Sequence, residues 1–195
     1  MTIAFCLGNG ISRRGIDLNA LANYGAVYGC NALYTEFTPT ALVATDTPIA
    51  TAIQESGYSA KNRFYTRRPI AGLGGQRVPQ KYYGSSSGPI CISIAALDNH
   101  SKIYMLGYDM GPNEKGKFNN VYADCKHYKT SGAEPTFTGN WIRQIRTVVT
   151  DFPQTKFVRV KGATTADIPD LNSIFNLAHL PLETFLERIN NGKDL

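Results

Sequence analysis

The chain has 195 residues, 43% hydrophobic and 18% charged, with a formal net charge of +5. This composition suits one folded domain that buries roughly 70% of its unfolded-chain surface, and it excludes a disordered, fibrous or disulfide-stapled chain. No apolar run approaches the ~20 residues of a membrane-spanning helix, and the start MTIAFCLGNGISRR lacks the pattern of a signal peptide. Cytoplasmic residence is therefore expected.

In chain order, β-rich runs fall at residues 3–7, 26–29, 41–45, 62–66, 102–106 and 156–160. Several are apolar on both parities, as strands covered on both faces are. Helical stretches at 17–23, 48–56, 87–99 and 140–151 alternate with them. Asp17 can cap the first, Thr47-Pro48 opens the second, and Ser86 or Ser87 precedes the apolar run ICISIAAL, which should be buried. The alternation predicts an α/β, Rossmann-like fold, a mostly parallel sheet of about six strands with helices on both faces. Residues 1–170 read as that domain and 171–195 as a tail with an amphipathic helix at 181–190. Residues 111–139 form a long connection without period, read as a lid over the rim or as an interface arm of a homo-oligomer.

Cys6, Cys30, Cys91 and Cys125 form no C-x-x-C pair, and the first three sit in apolar surroundings as core residues do. No metal site is expected from them. Between Ser56 and Leu97 the chain carries Lys61, Arg63, Arg67, Arg68, Arg77 and Lys81 with no Asp or Glu. This basic segment reads either as a solvated loop or as a phosphate clamp through Arg67 and Arg68. Its aromatic residues form no stacking motif for nucleic acid.

The strongest motif is the first strand running into Gly8-Asn9-Gly10-Ile11-Ser12. Glycines there let backbone approach a phosphate, with turn N–H groups toward the anion. Asn31 follows the second strand, Asp46 ends the third, Ser86, Ser87 and Gly88 open the buried helix, and Asp109 follows the fifth. In an open parallel sheet these positions share the rim where ligands bind. Asp46 or Asp109 could hold Mg2+ or a ribose hydroxyl. Asp46 and Asn31 also read as helix caps, and Asp109 as a turn former.

GNGIS after the first strand, CN after the second, SSSG opening the helix and IYMLGYD at the fifth strand resemble bacterial CMP-sialic-acid-dependent sialyltransferases. The same motifs resemble the related domain of motility-accessory-factor-like glycosyltransferases and of archaeal 6-hydroxymethylpterin pyrophosphokinase. Proteins carried by tailed phages are similar through GNGISRRGIDLNAL and YGCNALY. The resemblance implies that Asn9, Gly10, Asn31, Ser86, Ser87 and Gly88 contact a nucleotide or nucleotide-sugar. It also implies a general-base His near Thr136 to Asn140, where this chain has none; His127, on the same segment, and Asp109 are the proton acceptors left. The expectation is a glycosyltransferase-like transferase using a nucleotide-activated donor. The alternatives are a phage protein that sequesters a nucleotide without turnover, and a virion or assembly component with a relict pocket.

Overall fold

The computed structural model describes residues 2–192. β1 (Ile3–Leu7) leads through a 3-10 turn at Ile11–Arg13 to α1 (Leu18–Ala22) and β2 (Ala26–Cys30). A second 3-10 turn at Asn31–Thr35 precedes β3 (Ala41–Val43), and α2 (Thr47–Glu55) and α3 (Tyr58–Lys61) lead to β4 (Phe64–Thr66). The short β5 (Gln76–Arg77) precedes α4 (Ser87–Leu97) and β6 (Lys102–Leu106). After a long arm come α5 (Gly139–Asp151), β7 (Lys156–Lys161), α6 (Pro169–Asn172), β8 (Leu177–Pro181) and α7 (Leu182–Asn190).

The strands form one parallel sheet in the order β5-β4-β3-β2-β1-β6-β7-β8. The α/β fold with helices on both faces is as the sequence pattern predicts, but the sheet has eight strands rather than about six. The additions, β5 and β8, are the two edges. Chain direction reverses about β1: the strands spread one way through β5, then α4 carries the chain back to β6 on the other side. Such a reversal opens a crevice at the strands' carboxyl ends.

Period-two alternation divides the core between the two faces. Ala4 and Cys6 of β1 pack in the layer containing α4, α5 and α6, while Phe5 and Leu7 pack with α1, α2 and α7. α4 has no polar face because the sheet covers one side and α5 the other; Ile94 is 2% exposed. Asp17 caps α1, accepting from the Asn19 and Ala20 amides. No helix among the described residues is long and apolar enough to cross a membrane.

Candidate functional site

A cavity of about 330 Å³ opens at the carboxyl rim. Its walls are residues 8–10 after β1, 30–31 at the end of β2, 45–46 after β3, 86–89 at the start of α4 and 107–111 after β6. The arm adds Phe118, Asn119, Asn120, Thr136 and Thr138, and α5 adds Trp141 and Ile145. Of the residues singled out from sequence, Gly8, Asn9, Gly10, Asn31, Asp46, Arg67, Ser86, Ser87, Gly88 and Asp109 stand together here. Ser12, Arg68 and His127 do not line it.

The Gly-Asn-Gly turn is built differently from a phosphate cradle. The Gly8 and Gly10 amides donate to Leu106 O and Gly107 O, both at 2.8 Å. The Ile11 amide donates to Asn119 Oδ1 at 2.8 Å, and the Ser12 amide to Asp109 Oδ2 at 3.1 Å. These N–H groups are spent within the protein. The glycines are required because two loops cross: a Cβ on Gly10 would meet the Asp109 carboxylate and stand 2.7 Å from Gly107 O. Gly107 itself has φ +71°, a conformation that glycine adopts at little cost. Asn9 is the exception in the turn. Its amide and Nδ2 have no acceptor in the described structure, and its Oδ1 is shielded from solvent with no hydrogen-bond partner.

Opposite Asn9, α4 presents an open amino end. Ser86 is its N-cap residue yet makes no side-chain cap bond; its Oγ accepts from Trp141 Nε1 at 3.0 Å, and its amide donates to Gln144 Oε1 at 3.0 Å. Pro89 has no N–H, so the Ser87 and Gly88 amides remain as free donors at the positive end of the helix. The Ser87 hydroxyl accepts from the Thr45 amide at 3.0 Å and donates to Asn31 Oδ1 at 3.2 Å. Asn31 reaches that position from a left-handed backbone, φ +56°. Thr45, Trp141 and the arm's Asn119-Asn120 pair were not singled out from sequence, although Trp141 is the chain's only Trp.

Asp109 is buried and fully engaged. Its carboxylate accepts from the Ser12 amide and hydroxyl, from Asn119 Nδ2 at 3.1 Å, and from the hydroxyls of Thr164 at 2.7 Å and Thr165 at 3.2 Å. Behind it Arg159 of β7 is wholly buried, donating to Tyr108 O at 3.0 Å, Ala166 O at 2.9 Å and Asp109 O at 3.1 Å. Burial draws the Arg159 pKa down to about 10, against the attraction of Asp109 and Asp167. Asp109 therefore ties β1, β6, β7 and the arm together.

The basic segment disperses. Arg67 lines the cavity while donating to Tyr83 O at 2.8 Å and Ser85 O at 2.7 Å. Arg68 is exposed and outside the lining, Arg63 pairs with Asp98, and Lys81 pairs with Asp151. His127 is exposed in a left-handed turn at φ +73° and is not a cavity residue. The arm itself is pinned to the domain: Val121 N donates to Asn9 O at 2.8 Å, Ala32 N to Tyr128 Oη at 3.2 Å, and Arg13 to Tyr122 Oη at 2.9 Å. Burial holds the Cys30 thiol and the Tyr108 phenol well above their ordinary pKa values, so both are neutral wall groups.

Among the described residues no three His, Cys, Asp or Glu side chains are grouped to hold a metal ion. With Asp109 engaged, Asp46 is the lining carboxylate left open, so a Mg2+ would rest on Asp46 and the phosphates of a ligand. No family model, curated protein or solved structure matches this chain.

Proposed function

We propose that the carboxyl-rim cavity binds one nucleotide or nucleotide-sugar. The observation that carries the reading is Asn9, whose amide, Nδ2 and Oδ1 all lack protein partners, facing the cavity that α4 enters with two open amides. A buried polar group without a partner is costly, and a ligand that pairs with it recovers that cost. Phosphate sits at the Ser87 and Gly88 amides, with Arg67 supplying positive charge; Asn9 reads the sugar or base; the Trp141 indole offers a stacking face. A volume of about 330 Å³ is at the small end of ligand pockets and suits a mononucleotide rather than a polymer.

The geometry favours retention of the nucleotide over turnover, because Asp109 is saturated and His127 lies outside the cavity. Transfer from a nucleotide-activated donor is the second reading, and the exposed Asp46 carboxylate favours it as a proton acceptor within the lining. Titration calorimetry with CMP, CMP-sugar, UDP-sugar and ATP, followed by mass spectrometry, separates the readings. The expected result is one bound nucleotide per chain, recovered intact, with affinity lowered roughly tenfold in Asn9→Ala. Wild-type affinity in Asn9→Ala contradicts the site; donor cleavage abolished by Asp46→Asn establishes turnover in place of retention.

A further inference from the structure

The other end of the sheet carries a second cavity, of about 320 Å³, on the α7 face at the amino ends of β6, β7 and β8. It exists because α7 is short. Nine residues rise ~13 Å at ~1.5 Å each, whereas strands of five and six residues run ~16–20 Å. The helix starts over the carboxyl ends and stops before the amino ends, leaving the floor there open.

Alternate strand residues share a face, so Lys102 joins Tyr104, and Lys156 joins Val158. Lys102 and Lys156 are register partners on adjacent strands. Like charges at directly opposed strand positions cost stability unless an anion lies between them. Arg188, in the last turn of α7, is a third cation in the lining, which contains no Asp or Glu. Among the described residues none of the three is in a salt bridge. Tyr104, in the same wall, is wholly buried, and its hydroxyl has no hydrogen-bond partner. The Lys102 ammonium lies 5.1 Å from the centre of its ring.

From this geometry we infer a second ligand site that takes a small phosphomonoester. The oxyanion lies among Lys102, Lys156 and Arg188, its apolar body rests on Val158 and Leu180, and it offers the acceptor that Tyr104 lacks. The site is independent of the nucleotide reading, since the two cavities share no residue.

Phenyl phosphate and inorganic phosphate are titrated into the full chain while the melting temperature is followed. Phenyl phosphate should raise it in a saturable way and more strongly than inorganic phosphate. A Lys102→Gln/Lys156→Gln double variant should weaken binding by roughly tenfold or more, and Arg67→Gln, in the other cavity, should leave it unchanged. In anion-free buffer the double variant should melt higher than wild type, because the opposed like charges are gone. The proposal is overturned by an unresponsive wild type, by an equal response in the double variant, or by loss of the response in Arg67→Gln. It is equally overturned by equal stabilisation from both phosphates, which would leave the apolar wall without a role.

Discussion

On the carboxyl rim, Asn9 and the amino end of α4 leave polar groups open, whereas the cluster around Asp109 after β6 closes them on one another. Asn9 and the amides of Ser87 and Gly88 lack protein partners. A short distance away Asp109 accepts from Ser12, Asn119, Thr164 and Thr165, with Arg159 buried behind it. Both halves line the same cavity, so position in a pocket does not separate a binding group from a structural one. The state of its hydrogen bonds does: a carboxylate with every lone pair engaged is committed to the fold, and an amide with none is available to a ligand.

The largest test of that contrast is Asp109→Ala. It strands a buried guanidinium without its neighbouring charge and deprives Ser12, Asn119, Thr164 and Thr165 of an acceptor. A loss of about 3–5 kcal/mol is expected in chemical denaturation; a change near zero would mean that the lock is ornamental. Gly10→Ala comes next. The φ of Gly10, −63°, suits any residue, so the effect is steric, a methyl driven into Asp109 and Gly107. About 1–3 kcal/mol should be lost in thermal melts, and an unperturbed melt would show that the two loops can part freely. Asn9→Ala, on the open side, should keep stability within about 0.5 kcal/mol of wild type; a larger loss would place Asn9 among the structural groups.

The smallest effect is in pH. Burial holds His100 below its ordinary 6.5, and burial together with Arg159 does the same for His179. The unfolded chain then binds protons more readily than the folded one, so this stability is complete above pH 6.5 and is lost as pH falls through the depressed folded values. Melting temperature should decline on acidification below 6.5, and His100→Gln/His179→Gln should flatten the decline. Both histidines lie outside the rim cavity, so nucleotide affinity should not follow the same curve.

Much of the fold was legible because six strands are apolar on at least one buried parity. β5 was not: Gln76 and Arg77 are both exposed, and backbone pairing alone makes them a strand. β8 was hidden by its sequence, Leu-Ala-His-Leu-Pro, which as an edge strand buries little. At the site, the gathering of residues followed from strand ends sharing a rim, but their duties did not. Gly8 and Gly10 resemble a phosphate loop in sequence, and only the crossing with Gly107 explains them. A trace of that crossing is visible: β1 and β6 both end in a Leu followed by Gly, and Leu7 and Leu106 are register partners. The burial of Arg159 had no such trace, since its partners are carbonyls brought in from the loop after β6 and from residue 166.

The most direct measurement is a nucleotide titration followed by amide NMR on the full chain, comparing the two halves of the rim in one experiment. The account predicts that the Asn9, Ser87 and Gly88 amides shift with added CMP, while those of Ser12, Thr165 and Ala166, held within the Asp109 lock, stay in place. Shifts confined to the lock, or none at Asn9 and Ser87 at saturating nucleotide, would contradict it.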